Sequence, residues 1–442
     1  MRKKILVRGP VLSRSGYGEQ ARFAVRSLRH YEDRYDIYIL PTNWGMLSWT
    51  WEDTEERRWM DSIIEKTMIY ESQNKNNGSQ KYDISLQVTI PNEWDNSLAL
   101  YNVGYTAGIE TDRVSASWIQ KCMEMDKIIV VSNHAKNVFY ETVYQIKEKD
   151  EQGSLEVTRL LNLDQENPDH PKIEVVNYPV KETSSVKFDH KFSTKFNFLT
   201  IAQWGARKNL EATIGWFVEE FKDNEDVGLV IKASFKNTSN IDRQFSIEKM
   251  QNLLNSDRLK GRKCKVYLLH GDMTEEEMNG LYQHRSVKGF INLAHGEGFG
   301  LPMFEAAYHK VPVIAMGWSG HTDFLYAPDK KKKGKKQKKE MIPYFAKVSH
   351  HLGKVQPQAV WQGVIEEGSL WAYPVEKSYK LCLRDVYDNH KVYKKTATEL
   401  DKYLRSKFTN ANQYKQFANA VYQNEDFDVE NWLDSLGEEV FE

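Results

Sequence analysis

The sequence is poor in the residues that mark several protein classes. Its three cysteines, Cys122, Cys264 and Cys382, lie far apart and form no CxxC pair, which argues against a disulfide framework and a zinc site. We expect buried or inert thiols in a reducing compartment. No apolar run approaches the roughly 20 residues of a membrane span, and the amino terminus lacks the apolar stretch of a signal peptide. The composition therefore predicts a cytoplasmic protein.

An excess of charge of one sign is also absent. The chain has 61 basic and 62 acidic residues and a formal net charge of -1, so no global field draws it to nucleic acid or to an anionic membrane. The exception is local, because Lys330 to Lys339 contains eight lysines in ten positions. A solvated loop is the simpler interpretation of this run. Contact with phosphate on nucleic acid, lipid or a glycolipid diphosphate is the alternative.

The order of apolar segments predicts an α/β protein with two domains, since 442 residues exceed one ordinary core. Short β-branched runs alternate with segments of helical periodicity, which indicates parallel sheets covered by helices. A polar stretch from Lys181 to Lys195 separates two sets of strands. The first set is KKILVRG, YDIYILP, YDISLQVTI, ALYNVGYT, DKIIVVS and KIEVVNYP, and the second is FNFLTIAQ, VGLVIKAS, KVYLLHG, KGFINLA and VPVIAMG.

We accordingly predict an amino-terminal Rossmann-like domain over residues 1–185 and a second over 186–409. The segment 410–442 is predicted to form carboxy-terminal helices. Long helical patterns near the end of the chain, with no strand after them, support this arrangement.

The segment LAHGEGFGLPMFEAAYHKVPVIA, which begins at Leu293, does not have the residue pattern of an ordinary core or surface segment. A buried strand precedes a glycine-rich loop, and Pro302 is predicted to be the first residue of the next helix. Ligands of doubly wound sheets bind at such strand-to-helix loops. Glu297 on the loop and Glu305 in the first helical turn place two acceptor-only groups at one crevice, which suits a set of hydroxyls. A surface loop and a helix-dipole carboxylate are the simpler alternative.

The full string EGFGLPMFEA, with seven residues between Glu297 and Glu305 and VPVIA close behind, resembles the retaining nucleotide-sugar glycosyltransferases of the GT-B fold, family 4 (glycosyl transferases group 1). The resemblance implies two Rossmann-like domains that face each other across a cleft, with residues 1–185 on the acceptor side and residues 186–409 on the donor side. It also implies that the carboxy-terminal helices of 410–442 pack on the first domain. It implies that Glu297 contacts the transferred sugar and that Glu305 holds the ribose hydroxyls. Backbone groups of Gly298, Phe299, Gly300 and Leu301 would line the donor site, as would the loop GWSGHTDF.

Three further segments are similar to donor-binding parts of that family. SRSGYGEQARF would bring Gly16 and Gly18 to the donor at a helix amino terminus, which suits an anion. Lys208 is the predicted phosphate lysine, and Arg207 assists it. Relatives often have an arginine where Gln203 stands, so Arg207 or Lys232 is expected to supply the second charge. The segment His270 to Met273 would offer Gly271, Asp272 and Met273 to the nucleobase.

The amino-terminal half matches the family only in outline. The connection YTAGIETDRV carries no histidine where relatives have one at the donor sugar, and Glu110 is the nearest polar candidate. Glu110, Tyr17 and Trp44 are predicted on the acceptor side. His134 and His295 are interpreted as packed histidines. A core position is the simpler interpretation of Trp44, Trp49, Trp51 and Trp59, and stacking on a sugar or base is the alternative.

The resemblance implies that the protein is an enzyme that transfers a hexosyl or pentosyl group, with retention, from a UDP- or GDP-linked sugar. No cofactor is expected. No metal is expected either, although EDFD near Asp426 contains a DxD pattern. The acceptor is a glycan or glycolipid, or alternatively a hydroxymethylated base in DNA. A non-catalytic nucleotide-sugar-binding protein and a nucleic-acid-binding protein that uses the lysine run are the remaining alternatives.

Overall fold

The first half of the chain forms one parallel sheet with helices on both faces. The structure is a computed structural model, which describes residues 2–77, 81–149, 156–181, 184–185, 188–329 and 340–423. The strands of this half are β1 (Lys3–Gly9), β2 (Tyr35–Pro41), β3 (Ile84–Val88), β4 (Tyr101–Thr106), β5 (Lys127–Val130), β6 (Tyr144–Lys149), β7 (Glu156–Leu161) and β8 (Lys172–Val175). The helices are α1 (Gly16–Arg29), α2 (Glu55–Gln73), α3 (Ala116–Met123) and α4 (Asn133–Glu141).

Six of these strands pair in the order β2-β1-β3-β4-β5-β8, whereas β6 and β7 form a separate antiparallel hairpin. The chain winds in opposite directions from β1 and β3, so a crevice opens at their carboxyl ends. Serine or threonine side chains cap the amino termini of all four helices, at Ser15, Thr54, Ser115 and Ser132, which satisfies amide groups that have no partner within a helix.

The second half repeats the plan. Its strands are β9 (Phe196–Gln203), β10 (Val227–Ser234), β11 (Lys265–Leu269), β12 (Val287–Asn292), β13 (Val313–Met316), β14 (Tyr326–Pro328), β15 (Met341–Pro343), β16 (Ala346–Val348), β17 (His350–Lys354) and β18 (Leu370–Pro374). Its helices are α5 (Leu210–Glu220), α6 (Asn240–Leu254), α7 (Glu275–Tyr282), α8 (Leu301–Tyr308), α9 (Thr322–Leu325), α10 (Glu376–Asp388) and α11 (His390–Lys407).

The second sheet has the order β11-β10-β9-β12-β13-β16, with all strands parallel. When only the strands of this sheet are numbered along the chain, that is the 3-2-1-4-5-6 arrangement of a Rossmann domain, whose ligand crevice lies between the first and fourth strands. Leu199 of β9 pairs with Val230 of β10 and with Phe290 of β12. The three strands are buried on both faces, which explains their continuous apolar sequences.

The carboxy-terminal helix returns to the first domain, as predicted. After α11 packs on α8, helix α12 (Asn410–Val421) lies against α1. Phe417 meets Phe23 edge to face at 5.2 Å, and the Tyr35 hydroxyl donates to the Ala418 carbonyl. Residues 424–442, which include the DxD pattern at Asp426, lie outside the described residues.

Strands β17 and β18 carry a second connection between the halves that the sequence did not predict. The segment 355–369 joins them and reaches the first domain, where the Gly363 carbonyl accepts hydrogen bonds from Asn92 and Ser115. Val364 is 5% exposed within a cluster of first-domain side chains. Contacts therefore join the two domains on the side of this hairpin as well as through α12.

Candidate active site

The predicted catalytic residues meet at the crevice of the second sheet. Strand β9 is followed by the 3-10 turn Ala206–Lys208, and β12 is followed by the loop that contains Glu297. These two strands are neighbours and flank the point where the winding reverses, so their carboxyl ends deliver Arg207, Lys208 and Glu297 to one place. Lys208 thus lies in a 3-10 turn that precedes helix α5, which begins at Leu210.

Glu297 lies at the centre of a charged group that we name the Glu297 cluster: Glu297, Arg207, Lys208, Glu110 and Asn292. Lys208 Nζ donates to both carboxylate oxygens of Glu297, at 2.6 and 2.8 Å. Arg207 Nη1 donates to Glu297 Oε2 at 3.2 Å, and Asn292 Nδ2 donates to Oε1 at 3.1 Å. The cations predicted to bind a diphosphate are therefore paired with a carboxylate of the same site.

The neighbouring cations keep Glu297 ionised. Burial alone would raise the pKa of its carboxyl, because Glu297 is 6% exposed, but the charges of Lys208 and Arg207 hold the pKa at about 2. Burial and the adjacent Arg207 lower the pKa of Lys208. Burial opposes the charge on Arg207 as well, yet Glu110 and Glu297 raise its pKa. Glu297 can therefore accept hydrogen bonds at neutral pH but has no proton to give.

The glycines of this loop fit the other domain closely. A Cβ on Gly296 would lie 2.1 Å from the Glu110 carbonyl oxygen, and one on Gly298 would lie 2.6 Å from that of Ala107. The Gly320 amide donates to the Glu297 carbonyl at 2.9 Å, and the Glu297 amide donates to Ser319 Oγ at 3.0 Å. These glycines permit contact between the domains, in addition to the predicted approach of a ligand.

Glu305 lies in a different environment. Helix α8 begins at Leu301, so Glu305 is its fifth residue and lies beyond the first turn, in contrast to the prediction. Tyr282 donates its hydroxyl proton to Glu305 Oε2 at 2.8 Å. Burial raises the pKa of Glu305 to about 7, which nearby Glu19 and Glu275 favour and Lys181 opposes. No described hydrogen bond or ion pair joins Glu305 to Glu297.

Glu305 lines a cavity between the domains that we name the Glu305 cavity. Its walls come from α1, α2, α7, α8, α12 and the segment after β8. Its charged members are Glu19, Arg26, Glu56, Lys181, Glu275 and Glu305. Lys181 Nζ bonds Glu19 at 2.8 Å and Glu275 at 2.5 Å. The cavity has more acidic than basic groups, so it suits hydroxyls better than phosphates.

A second crevice lies beyond β11, at the predicted nucleobase segment. Gly271, Asp272 and Met273 line it together with His270, Lys232 and Phe188. Lys232 Nζ donates to the Gly271 carbonyl at 3.0 Å. Lys232 is therefore engaged away from the Glu297 cluster, and Arg207 is the residue that adds the second positive charge beside Lys208.

Arg14 of the first domain reaches this crevice. It donates to the Met273 carbonyl at 3.3 Å and lies 3.8 Å from Asp272 Oδ1. Its other guanidinium nitrogen pairs with Glu52. The sequence did not single out Arg14, which lies between β1 and α1.

Gly16 and Gly18, the two glycines predicted to contact the donor, have different surroundings at the amino terminus of α1. A Cβ on Gly16 would meet no atom within 4 Å, so its backbone is open to approach. A Cβ on Gly18 would lie 1.9 Å from the Ser13 carbonyl oxygen, so Gly18 is needed for packing of the preceding loop. Ser15 Oγ accepts from the Gly18 amide at 2.9 Å. Gly16 therefore suits a ligand contact better than Gly18.

On the predicted acceptor side, the rings of Tyr17 and Trp44 pack with centroids 4.1 Å apart and planes tilted by 31°. The Tyr17 hydroxyl lies 2.8 Å from Thr106 Oγ1, and burial raises the pKa of Tyr17 above its usual range. Trp49 and Trp51 are 52% and 68% exposed, so the core interpretation is wrong for these two tryptophans. Trp51 instead lies beside Arg14, whose guanidinium carbon is 5.7 Å from the ring centroid.

The remaining donor-loop residues have structural partners. The Phe299 side chain is 4% exposed and packs on Tyr178 and Phe324, so only its backbone can face a ligand. Gly300 has φ +94° and precedes α8, a conformation that favours glycine. Leu301 lines the Glu305 cavity.

The two histidines interpreted as packed, His134 and His295, differ in their hydrogen bonding. His295 Nδ1 lies 2.7 Å from the Ala372 carbonyl and its ring stacks on Trp371, as expected for a packed histidine. Burial lowers the pKa of His134 to about 4, and its Nε2 is buried without a hydrogen-bond partner among the described residues. Its ring lies 4.9 Å from that of Trp318 on the GWSGHTDF loop. His134 is thus neutral and adjacent to the predicted sugar region.

The lysine run Lys330 to Lys339 lies outside the described residues, so its contact with DNA or another polyanion stays a prediction. Within the described ranges, no group of three or more His, Cys, Asp or Glu side chains is arranged as a metal site. No helix in the described ranges is both long and apolar enough to cross a membrane. Burial raises the pKa of the Cys122 thiol well above its usual range, and Cys264 is buried too.

Comparison with known proteins finds likeness in structure only. No known family matches the sequence, and no curated protein does. Sucrose-phosphate synthase from Thermosynechococcus elongatus is similar with a TM-score of 0.57 and 9% identity, over 95% of this chain and 98% of that one. Anabaena HepE in complex with UDP-glucose is similar with a TM-score of 0.53 and 10% identity, over 95% of this chain and 99% of that one.

A third likeness is to TarM of S. aureus, solved in complex with Fondaparinux, alpha-GlcNAc-glycerol and UDP. The TM-score is 0.53 and the identity 12%, over 95% of this chain and 100% of that one. At such identities the likeness establishes the fold alone. Together with the two parallel sheets and the returning helix, it confirms the predicted fold class: this chain has the GT-B fold, with two Rossmann-like domains.

Proposed function

We propose that this protein is a glycosyltransferase that moves a sugar from a nucleoside diphosphate sugar to a hydroxyl acceptor with retention of configuration. The observation that carries the proposal is the Glu297 cluster, in which Arg207, Lys208 and Glu297 meet at the switch point of the second sheet. The names of the similar structures support it, since HepE was solved with UDP-glucose and TarM with UDP.

In the proposed reaction, Lys208 and Arg207 neutralise the charge that develops on the leaving diphosphate. Such stabilisation acts in the transition state and is stronger in a site that excludes water. A diphosphate oxygen accepts the proton of the acceptor hydroxyl on the same face of the sugar. Because these two side chains supply the positive charge, we propose that turnover is independent of added divalent cations and persists in EDTA.

The two motif glutamates take separate parts. Glu297, with a pKa of about 2, stays anionic and orients the transferred sugar through its hydroxyls. It also favours the positive charge that a glycosyl group gains as the leaving bond lengthens. Glu305 binds the ribose hydroxyls from the Glu305 cavity, and the backbone of Gly271 to Met273 binds the nucleobase in the second crevice.

A saccharide, as a glycan or glycolipid, is the proposed acceptor. It would enter from the first domain, where Tyr17 and Trp44 pack together and where Trp49 and Trp51 expose their rings. Aromatic faces of this kind suit the apolar face of a sugar ring. No observation on the described residues favours a DNA base.

The experiment that tests the proposal is a thermal-shift panel of UDP, GDP, ADP and their common sugar conjugates. A ligand at 100 times its dissociation constant should stabilise the protein by about 2.7 kcal/mol. We expect one base to shift the wild type and the shift to be lost in Glu305→Ala. Glu376→Ala, which removes an exposed glutamate of α10, is the matched control and should keep it.

Turnover gives a second readout on the same donor. Glu297→Ala should lower kcat by about 100-fold while nucleotide binding persists, since a transition-state interaction is lost. If no nucleotide or conjugate shifts the wild type, the proposed function is overturned. If Glu305→Ala binds the nucleotide as the wild type does, the ribose assignment is wrong.

A further inference from the structure

One ion pair of the Glu297 cluster crosses between the domains. Glu110 follows β4 of the first domain, and its Oε1 lies 3.2 Å from Arg207 Nη1. The same nitrogen donates to the Gly296 carbonyl at 2.9 Å and to Glu297 Oε2 at 3.2 Å. The side chains of Glu110 and Arg207 are 22% and 28% exposed, so the pair lies within the cleft and is only partly accessible to water.

The charges of this cluster balance without a ligand. Glu110 and Glu297 carry two negative charges, and Arg207 and Lys208 carry two positive ones. A diphosphate that binds these cations must therefore displace a carboxylate. Glu297 is held by Lys208 and Asn292 as well as by Arg207. For Glu110, by contrast, Arg207 is the ion-pair partner that the described residues show, so Glu110 is the carboxylate that a diphosphate displaces more easily.

We propose that Glu110 is a specificity-determining residue that alternates between Arg207 and the transferred sugar. This inference rests on the proposed function and deepens it. In the empty site, Glu110 competes with the diphosphate for Arg207. When a glycosylated donor binds, the diphosphate takes Arg207, and the released carboxylate accepts hydrogen bonds from sugar hydroxyls. A free nucleoside diphosphate displaces Glu110 without giving it a new partner, so the site discriminates against it.

The geometry keeps the displaced carboxylate inside the cleft. Gly296 packs so closely on the Glu110 backbone that a Cβ would lie 2.1 Å from the Glu110 carbonyl oxygen. The Asp112 amide donates to the Leu370 carbonyl at 2.9 Å, and the Leu370 amide donates to Asp112 Oδ1 at 2.6 Å. These contacts fix the backbone at Glu110 and on its carboxy-terminal side, so its side chain alone needs to turn. Once the sugar has left, its return to Arg207 favours release of the nucleoside diphosphate.

Glu110→Gln tests the inference because the amide has nearly the same shape and no charge. We expect the variant to bind the nucleoside diphosphate about fivefold more tightly, as removal of a partly exposed competing charge allows. Its affinity for the sugar conjugate should fall, since a carboxylate is the stronger acceptor for hydroxyls. Isothermal titration gives both constants, and their ratio should change by about tenfold or more.

Asp112→Ala is the matched control. Asp112 lies on the same loop and contacts the same opposing domain, but it bonds Leu370 rather than a cation of the cluster. If easier domain opening caused the effect, Asp112→Ala would reproduce the change in the ratio. Should Glu110→Gln fail to fold, Glu110→Ser provides the same readouts.

Inorganic pyrophosphate separates this inference from the proposed function, because it needs no base or sugar site. Tighter pyrophosphate binding by Glu110→Gln than by the wild type and Asp112→Ala supports the competition. Unchanged or weaker binding overturns it. If no nucleoside diphosphate binds any of the proteins, the proposed function fails, and the pyrophosphate titration still decides whether Glu110 competes for the anion site.

Discussion

Glu297 and Glu305 belong to one short motif, yet the fold gives them opposite electrostatic surroundings. Two cations and an amide surround Glu297 and hold its pKa at about 2. Burial dominates at Glu305 and raises its pKa to about 7, with Glu19 and Glu275 close by. The motif fixes the position of each glutamate in the chain. The charges that decide its ionisation come from other elements: the turn after β9 for Glu297, and α1, α7 and the segment after β8 for Glu305.

This contrast bears on the chemistry that each group can perform. A carboxylate that is ionised at every physiological pH suits electrostatic stabilisation of a reacting sugar. A carboxyl group that titrates near neutrality suits hydroxyls that both donate and accept, and its affinity for them should depend on pH. Neutralising each glutamate in turn tests whether the two carboxyl groups differ in this way.

The largest effect on stability is expected from Glu297→Gln. The substitution leaves Lys208 and Arg207 without their central anion, and loss of one partner of a buried pair is strongly unfavourable. We expect the free energy of unfolding at pH 7 to fall by about 3 kcal/mol, which the lowering of the pKa from 4.5 to about 2 also implies. Urea titration gives the value.

The pH dependence of that loss has a definite sign. Because the folded pKa is lowered, the contribution of Glu297 is fully present above about pH 4.5 and disappears as the pH falls towards about 2. Glu211→Gln is the control, since it removes the anion of an exposed pair with Lys249 and should cost at most about 0.5 kcal/mol. Equal losses in the two variants would contradict the special position of Glu297.

Glu305→Gln should have the opposite sign and a smaller size. A folded pKa raised to about 7 means that ionisation of Glu305 destabilises the fold. The wild type thus has its full stability below about pH 4.5 and loses part of it as the pH rises through 7. The pKa shift alone implies about 3 kcal/mol, and the partial exposure of Glu305 reduces it. The variant should therefore be more stable than the wild type by about 2 kcal/mol at pH 8 and nearly equal to it at pH 4.5.

The glutamine amide oxygen can still accept the Tyr282 hydroxyl, so the packing around position 305 is preserved. Paired urea titrations at pH 4.5 and 8 check the prediction. A variant less stable than the wild type at pH 8 would show that Glu305 is ionised without cost, and the contrast with Glu297 would then disappear.

Eleven of the twelve strands in the two six-stranded sheets were predicted because their apolar runs are continuous. The exception is the three-residue strand β16. Residues such as FNFLTIAQ and VGLVIKAS match β9 and β10 along their whole length. The hairpin β17 and β18 was not predicted, since HHLGK is short, polar and largely exposed. Its identity as a strand comes from pairing with β18 rather than from local propensity. The domain boundary near residue 185 stays a prediction.

Within the candidate site, the sequence supplied the residue types but not their pairing. Lys208 and Glu297 are far apart in the chain, and they meet because the sheet order places β9 beside β12. Asn292 could have been singled out as a polar residue at the end of a buried strand, where ligand sites form. Arg14 carried no such signal, because its contacts depend on the opposing domain.

The smallest expected effect comes from Lys181, whose removal tests how far charge sets the difference between Glu297 and Glu305. Its charge opposes the raised pKa of Glu305, and its ammonium group bonds Glu19 and Glu275. Lys181→Met keeps most of the apolar stem and removes the charge. A double-mutant cycle with Glu305→Gln isolates the interaction of Lys181 with Glu305. At pH 8, where Glu305 is ionised, we expect a favourable coupling of about 1 kcal/mol, given the partial exposure of Lys181.

At pH 5, Glu305 is protonated and the coupling should be close to zero, since a neutral carboxyl attracts the ammonium group only weakly. Unfolding measurements on the wild type, both single variants and the double variant at the two pH values give the coupling directly. A coupling that is the same at pH 5 and pH 8 would mean that Lys181 acts on Glu305 through packing. Burial and the nearby carboxylates Glu19 and Glu275 would then account for the raised pKa of Glu305, whereas the charges of Lys208 and Arg207 hold the pKa of Glu297 low.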